Sequence, residues 1–575
     1  MNTRIRWSIL LAFAITCTLH AQQNSATEAL YALFDDKTAL EESERTDAPY
    51  PELSVAKFEQ EAAARRELQK KLGTIDRSQL SEQDQINADI FAFILEDEIA
   101  RVDYQSYLIP FNAEGGFYNR LRPGWRYRSA DDYQRYHERL SAFPDYLEAN
   151  MDLMRLGMKK GIISPKVTAK NYEVLMAPYR SDDETENPLF EPYLERPESI
   201  QPAEWKSLRD KGLSILRNQV LPAYAKLHTF MQETYLPAAR DKVGISEVPN
   251  GKAYYEQRIR HFTTLDMTPD EVFKKGQEEV ARIRAEMEQI IEDLEFEGSF
   301  DDFLTFLRTD PQFYCETPRD LLKEASYFAK KIDGKLPAYF EKLPRLTYGV
   351  EPVPAAIAPN YTGGRYSTGS VRNNRAGQYW VNTYKLDSRP LYVLPSLTLH
   401  EAVPGHHLQA ALAQEQEGGP DFRRSNYISA FGEGWALYCE YLGEEMGIYE
   451  TPYEQFGRLT YEMWRACRLV VDVGMHYKGW SRQKALDFLS SNTALSIHEC
   501  NTEIDRYIGW PGQAVSYKIG ELTIRRLRKQ AEAAMGEDFD LRAFHQRILE
   551  NGAVPLFVLE DQIEQMIAAS TSTDR

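Results

Sequence analysis

Amphipathic helical periodicity is the feature that most constrains this chain, because it recurs over most of the sequence. The clearest example begins at Thr268, where Pro269 and Glu271 complete the pattern of a capping box at a helix start. Apolar residues then recur at helical spacing as far as about Ile291. Similar stretches occupy residues 51–72, 131–156 and 202–236. The pattern predicts a mainly α-helical protein.

One segment departs from this helical pattern. Residues 378–383 have the composition of a β-strand, and they follow a Pro-rich stretch at 344–359 and turn-like residues at 361–365. We therefore expect a small β-sheet in a mostly helical C-terminal half. A Glu-Gly break at residues 297–298 divides a helical N-terminal region, 22–298, from a C-terminal region, 299–575, that carries the chemistry described below.

The first 21 residues have the pattern of a secretory signal peptide. Arg4 and Arg6 precede an apolar run at residues 8–19, and the small residue Ala21 ends the segment. Thr16 is a poor fit to the small residue expected before a lipidated Cys17, so simple export is favoured over lipid attachment. The run is too short for a membrane span. We expect a periplasmic or extracellular protein without stable membrane insertion.

Charge and cysteine content exclude two classes of protein. With 87 acidic against 68 basic residues, the net charge is -19, which argues against a nucleic-acid binder. Four cysteines outside the leader do not form a disulfide framework in a chain of this size, and none has zinc-ligand spacing. Buried free thiols are expected at Cys439 and Cys467, although one or two bridges stay open.

A histidine cluster carries the strongest chemical signal. Nine histidines follow the leader, and three of them lie within eight residues: His400, His406 and His407. The zincin motif H-E-x-x-H places two imidazoles on one helix face beside a Glu that acts as general base. The chain has the His400-Glu401 start but has Pro404 where the second His is expected. Another His-Glu pair, at 498–499, has no His soon after it.

Helix geometry limits which histidine partners His400. His407 returns to nearly the same face of a regular helix, but its Cα would lie roughly 10 Å away, too far for two ligands of one metal ion. His406 would face the other way. Either pairing therefore needs a distorted helix, which Pro404 and Gly405 favour. A two-residue bulge would let His406 supply the second imidazole, and His407 remains the alternative.

Glu433 is the candidate third ligand. It lies in Phe431-Gly432-Glu433-Gly434-Trp435, at the start of a helix-like run downstream of the histidines. One class of zincin completes a site of two His and one carboxylate with a Glu on the next helix. The flanking glycines permit close helix approach. The alternative is a surface Glu near a helix N-terminus.

Two further groups of polar residues accompany these motifs. Asp472 and His476 lie with Arg465 and Arg468 on one stripe of an apolar helix, either as an ion-pair ladder or with Asp472 holding a ligand imidazole by its second nitrogen. Downstream of Arg506 and Tyr507, a Pro-Gly turn precedes a helix that presents Gln513, Tyr517 and Lys518 on successive turns. A Tyr hydroxyl can donate to a developing oxyanion, or it can serve in a core.

Taken together, the motifs resemble the bacterial domain of unknown function (DUF) 885 family, which sits among the zincin-like metallopeptidases. The similarity covers most of the mature chain, and the His400–Gln409 motif with its Pro404 is the family's own variant of the zincin pattern. The other matching motifs are Glu433–Ala436, Arg468–Asp472 and Pro511–Gly520.

The resemblance implies a zincin-like helical oligopeptidase architecture, similar to the thimet and angiotensin-converting types, with a small sheet beside the active-site helix and a deep cleft. Zn²⁺ would be held by His400, His406 and Glu433. Glu401 would take a proton from water and pass it to the leaving amine. Tyr517, or else Tyr507 or His476, would support the oxyanion. The segment from Gln378 to Thr383 would pair with the peptide backbone. The residues implied to contact substrate are Asn382, Arg506, Tyr507 and Gln513. Asp472 and His476 would orient the metal ligands by contacting them from the side away from the metal.

The function expected from the sequence is an exported zinc metallopeptidase that hydrolyses short peptides through a metal-activated water. Two alternatives stay open: a zinc hydrolase of another amide substrate, and a non-catalytic peptide-binding protein with the same fold. Glu401 argues against the second alternative, because a binder has no need of a carboxylate beside its first ligand. The sequence does not indicate an oligomeric state.

Overall fold

A computed structural model describes residues 25–44, 47–121, 127–355 and 357–573. The predicted signal peptide, including Cys17, lies outside the described residues. The chain is mainly helical, as predicted. It forms two compact units, each held together by contacts among its own residues. Unit 1 comprises Met1–Ser81 and Ile94–Gly251, and unit 2 comprises Glu82–Phe93 and Lys252–Arg575.

Unit 1 is an all-helical assembly with a tyrosine-rich core. Tyr133, Tyr136 and Tyr224 are fully buried, and each hydroxyl donates to a backbone carbonyl, so the core keeps these phenol groups satisfied. Two π-helical turns, Leu216–Val220 and Met231–Tyr235, join the last three helices end to end. The helices are α1 (25–44), α2 (Val55–Leu72), α3 (Glu82–Asp103, shared with unit 2), α4 (Ala130–Lys160), α5 (Lys166–Ala169), α6 (Tyr172–Arg180), α7 (Pro202–Ile215), α8 (Leu221–Phe230) and α9 (Leu236–Ala238).

Unit 2 contains the remaining helices and the sheet. The helices before the sheet are α10 (Gly251–Thr263), α11 (Pro269–Asp293), α12 (Phe300–Thr309) and α13 (Pro318–Asp333). Those after it are α14 (Leu394–Glu401), α15 (His406–Gln414), α16 (Phe422–Ser425), α17 (Ser429–Glu445), α18 (Pro452–His476), α19 (Arg482–Asn492), α20 (Ile497–Gly509), α21 (Ser516–Met535), α22 (Leu541–Leu549) and α23 (Leu556–Thr573).

Helix α11 packs along α18, which places it in unit 2. The capping box at Thr268 and Glu271 forms as predicted. Gly276 lets the two helices approach closely, because a Cβ atom there would lie 2.6 Å from the Leu469 Cβ. The region boundary expected from the sequence at residue 298 therefore falls inside unit 2, because α11, which precedes that residue, already belongs to this unit.

The sheet of unit 2 has three strands: β1 (Tyr348–Pro352), β2 (Gly364–Ser367) and β3 (Gly377–Val381). Their order is β1-β3-β2, with β3 parallel to β1 and antiparallel to β2. The predicted strand corresponds to β3, which is central. Residues 364 and 365 belong to β2 rather than to the turn expected there, and β2 is an edge strand.

The described cysteines are unpaired, as expected for Cys439 and Cys467. Cys315, Cys439, Cys467 and Cys500 are free thiols, and all but Cys315 are buried. In the described ranges, no helix is both long and apolar enough to cross a membrane.

Candidate metal centre

The histidine cluster lies where one helix ends and the next begins. Helix α14 ends at Glu401, and α15 starts at His406 after the turn Ala402-Val403-Pro404-Gly405, whose Val403–Pro404 peptide is cis. The predicted two-residue bulge is therefore a complete break between two helices. The break turns the chain so that His406 comes back toward His400, and their rings are 4.8 Å apart between centroids.

Gly405 makes this tight return possible. Its N–H donates to the Leu399 carbonyl at 3.0 Å, and a Cβ atom would lie only 2.0 Å from the His400 carbonyl oxygen. The indole N–H of Trp435, on α17, donates to the Pro404 carbonyl at 2.8 Å. Buried Trp435 thus ties the turn to the helix that carries Glu433.

Three side chains converge on one point. Glu433 Oε2 lies 3.5 Å from His400 Nε2 and 3.3 Å from His406 Nε2, and the three donor atoms lie within 4.8 Å of one another. Ligands of a tetrahedral zinc ion stand roughly 3.3 Å apart, given metal–ligand bonds of about 2.0–2.1 Å. Two imidazoles and a carboxylate at these separations suit a zinc-like cation. His400 is buried, and the other two are half-buried.

The second oxygen of Glu433 has its own partner. Tyr427, at the start of the segment leading into α17, donates its hydroxyl to Glu433 Oε1 at 2.8 Å, so Oε2 is left for the imidazoles. Burial acts to raise the pKa of Glu433, but the charge of His406 and the hydrogen bonds of both histidines outweigh it. The pKa of Glu433 is held well below its ordinary value, so the carboxylate is ionised.

Glu440, two turns beyond Glu433 on α17, contacts the other nitrogen of His400. Its Oε1 lies 2.7 Å from His400 Nδ1. Burial acts to lower the pKa of His400, but hydrogen bonds to Glu433 and Glu440 raise it to about 9. A carboxylate that fixes the outer nitrogen of a ligand imidazole is a recurring feature of zinc sites.

Asp472 and His476 have partners away from the cluster, so the carboxylate that contacts the outer nitrogen of His400 is Glu440 and not Asp472. Asp472 Oδ1 accepts hydrogen bonds from the Tyr255 hydroxyl at 2.6 Å and from the Gly512 N–H at 3.0 Å. Burial raises the pKa of Asp472 to about 7. His476 Nε2 lies 2.9 Å from the Tyr507 carbonyl oxygen.

His407 faces away from the three donors. Its Nδ1 lies 3.0 Å from the Tyr366 hydroxyl, and its Nε2 lies 3.0 Å from the Leu346 carbonyl oxygen. Burial lowers the pKa of His407 to about 4, so the ring is neutral. Of the two histidines left open by the sequence, the structure brings His406 to the cluster.

Glu401 lies between the candidate metal ligands and the sheet. Its Oε2 accepts the Tyr366 N–H of β2 at 2.7 Å, and its charge contributes to the raised pKa of neighbouring His400. Strand β2 therefore lies beside the histidine helix α14, and the central strand β3 also contacts α14, with the Tyr379 hydroxyl 3.4 Å from Thr398 Oγ1. Both edges of β3 are occupied by other strands, so β3 has no free edge to pair with a peptide.

Tyr517 is the predicted polar residue that reaches the cluster. Its ring stacks near His400 at a centroid distance of 6.4 Å, and the Arg468 guanidinium lies 4.1 Å from the ring centroid. Arg506 donates to the Tyr517 hydroxyl at 3.2 Å and to Gln513 Oε1 at 2.9 Å. Arg506 and Gln513 thus support Tyr517.

Two residues expected to face substrate have structural roles. The Asn382 side chain is fully buried, and its amide donates to the carbonyls of Ala358, Tyr361 and Thr362, which clamps the loop before β2. The Tyr507 hydroxyl accepts hydrogen bonds from Trp464 and Arg468, both at 2.7 Å. Both side chains are therefore engaged by hydrogen bonds within the protein.

The fold and site define a mainly helical protein with a candidate centre of two histidines and one glutamate. Its sequence matches the DUF885 family, described as a bacterial protein of unknown function, over residues 36–563. The chain belongs to this family. Among curated proteins, no match was found.

Two solved structures share the fold. One, titled a putative lipoprotein from Colwellia psychrerythraea, has a TM-score of 0.84 and 27% identity, with 96% of this chain and 99% of that chain covered. The other, titled a putative lipoprotein of unknown function from Shewanella oneidensis, has a TM-score of 0.68 and 19% identity, with the same coverage of 96% and 99%.

Proposed function

We propose that this protein is an exported, zinc-dependent peptidase that hydrolyses short peptides. The observation that carries the proposal is the convergence of His400, His406 and Glu433 donor atoms within 4.8 Å, with Glu401 beside them. A carboxylate next to the ligands is needed for proton transfer and not for binding alone. The same reasoning favours a zincin-like architecture with a deep cleft.

The residues present fit zinc. Two imidazoles and one carboxylate leave a fourth position open, as in catalytic zinc sites, and Glu440 orients the His400 ring. Zinc supplies a Lewis acid that lowers the pKa of water and polarises a carbonyl group.

The side chains around the ligands supply the remaining chemistry. Glu401 would accept a proton from water at Oε1, because Oε2 is held by the Tyr366 N–H, and would pass that proton to the leaving amine. Tyr517 accepts the Arg506 N–H, so its own proton is available for the developing oxyanion. An extended peptide would pair with the outer edge of β2, beside the Tyr366 N–H that Glu401 already accepts.

Export is part of the proposal. The predicted leader supports a periplasmic or extracellular location. Because the similar Colwellia psychrerythraea protein is described as a lipoprotein, lipid attachment at Cys17 is an alternative to simple release, although Thr16 disfavours it. Mass spectrometry of the mature N-terminus, with or without an attached lipid, separates the two.

The first test is digestion of a mixed peptide library by the zinc-loaded protein. We expect cleavage by the wild type and at least about a 100-fold lower rate for Glu401→Gln, because the variant loses its general base but keeps its size. Mass spectrometry of the products reports the rate and the cut positions.

Glu417→Gln is the matched control, because Glu417 is exposed and lies outside the centre. It should cleave at the wild-type rate. Normal cleavage by Glu401→Gln would contradict the role of Glu401, and no cleavage by zinc-loaded wild type would contradict the peptidase proposal.

A further inference from the structure

A pocket separate from the histidine cluster lies in unit 2, between α14, α18, α20 and the sheet. Its empty space amounts to about 460 Å³ when the open mouth is included. Its walls are mainly apolar, with Leu394 and Leu397 from α14 and Val381 from β3 among them. None of the three candidate metal ligands lines it.

Three polar groups converge at one end of this pocket, around Gly363. A Cβ atom built on Gly363 would lie 3.8 Å from Glu499 Oε1, 3.9 Å from Arg389 Nη1 and 4.0 Å from the Tyr461 hydroxyl. A carboxylate, a guanidinium and a phenol therefore border one small space that the absence of a side chain on Gly363 leaves open.

These polar groups lack protein partners on the side that faces the pocket. Tyr461 is 3% exposed and Arg389 is 7% exposed. Arg389 donates from Nε to the Tyr384 carbonyl at 3.3 Å, which leaves both Nη atoms for the pocket. Across the described residues, neither the Tyr461 hydroxyl nor the Glu499 carboxylate makes a hydrogen bond with the protein. These groups are therefore open toward the pocket, where one polar ligand could bind all three of them.

We propose that this pocket binds a free α-amino acid with an apolar side chain. Glu499 would accept hydrogen bonds from the α-ammonium group, while Arg389 and Tyr461 would donate to the α-carboxylate. The apolar walls would enclose the side chain. An α-amino acid carries opposite charges on either side of one carbon atom, which matches a carboxylate and a guanidinium on either side of one space. An amine or an acid alone would leave one charged group unmatched.

The pocket adjoins the metal centre through α18. Tyr461 and Arg465 lie one helical turn apart, and Arg465 Nη2 lies 3.5 Å from Glu440, the residue that holds His400. An amino acid is also the class of product that a peptidase releases. The binding itself needs no turnover, so its test is independent of the proposed function.

The test is isothermal titration of the full-length protein with L-leucine, 3-methylbutan-1-amine and 4-methylpentanoate. We expect one leucine site per chain and at least about 10-fold weaker binding of each analogue, because each lacks one of the two charged groups. Absence of leucine binding, or equal affinity for either analogue, would overturn the proposal.

Gly363→Ala provides the structural control. Its added methyl group meets all three polar groups at ordinary contact distance, so the fold should accommodate it while leucine affinity falls at least about 10-fold. Gly349→Ala has no atom within 4 Å of the new methyl group and should bind leucine normally. Wild-type affinity in Gly363→Ala would overturn the assignment.

A metal-site variant distinguishes this pocket from the proposed active site. Leucine can chelate metal ions, so binding at the histidine cluster has to be separated from binding at Glu499. We expect His406→Ala to keep its leucine affinity while losing metal. Loss of leucine binding in His406→Ala would locate the ligand at the metal centre and overturn the proposal.

Discussion

At the scale of single residues, the neighbours His406 and His407 differ completely in their surroundings. His406 begins α15 and presents Nε2 to Glu433 at 3.3 Å. Both ring nitrogens of His407 have partners elsewhere, at the Tyr366 hydroxyl and the Leu346 carbonyl. A metal ion at His407 would have to displace one of these hydrogen bonds in a buried site.

Separate replacement of the two histidines should therefore have opposite effects on bound zinc. We expect His406→Ala to lose stoichiometric zinc on dialysis, because it removes one of three ligands. His407→Gln keeps hydrogen-bonding capacity and should retain one zinc per chain. Elemental analysis of the folded variants gives the result, and zinc loss from His407→Gln alone would refute the ligand assignment.

Glu440 gives a second prediction at this scale. Glu440→Gln weakens the hold on His400 Nδ1 and should lower zinc affinity about 10- to 100-fold, as for other partners of ligand histidines. Asp472→Asn is the matched control, because Asp472 is equally buried but contacts Tyr255 and Gly512 instead. Competition with a chromogenic chelator measures both. A larger loss in Asp472→Asn would contradict the account.

Local motifs place His400, Glu401 and Glu433 in one candidate site, and the structure brings the donor atoms of His400 and Glu433 together. The motifs do not identify Glu440, although a carboxylate inside the apolar run from Ala436 to Leu442 is a signal of a buried role. Asp472 carries the same signal on another helix. Only the packing of α17 against α14 decides which buried carboxylate meets His400, and local periodicity does not contain that information.

At the scale of elements, the break between α14 and α15 determines the site. Pro404 and Gly405 predict a distortion, and the structure has two separate helices in place of a bulge. The return of the chain over the end of α14 depends on the missing side chain of Gly405, because a Cβ atom there would overlap the backbone of residues 399 and 400.

Gly405→Ala should disturb both folding and metal binding. The new methyl group would lie 2.0 Å from the His400 carbonyl oxygen, so the turn must shift, at a cost of about 1–3 kcal/mol in the free energy of unfolding. Urea unfolding of the metal-free protein measures the stability, and zinc titration measures the site. Gly349→Ala is the control, and equal stability of the two variants would show that the turn is not tight.

The sequence pattern predicts only part of the sheet. The sequence predicts the central strand β3 to within two residues of its bounds, because aromatic and β-branched residues mark it. Strand β2 resembles a turn in sequence, since Gly364 weakens its strand signal. Which strand lies at the edge depends on pairing order, so the proposed peptide-binding role belongs to the edge strand β2 and not to β3.

At the scale of the whole molecule, unit 2 is organised around buried charge as well as apolar packing. Lys518 is fully buried and contacts Glu279, Glu462 and Glu521, which ties α11, α18 and α21 together. Amphipathic periodicity predicts the helices, yet it does not reveal which charged residues face one another.

The central claim is that peptide hydrolysis depends on one zinc ion held by His400, His406 and Glu433. The most direct test removes metal from the full-length protein with a chelator and restores zinc in steps while peptide cleavage is followed. We predict that cleavage disappears on stripping and returns at one zinc per chain. Cleavage that persists in protein verified to be metal-free, or that does not return with zinc, would contradict the account.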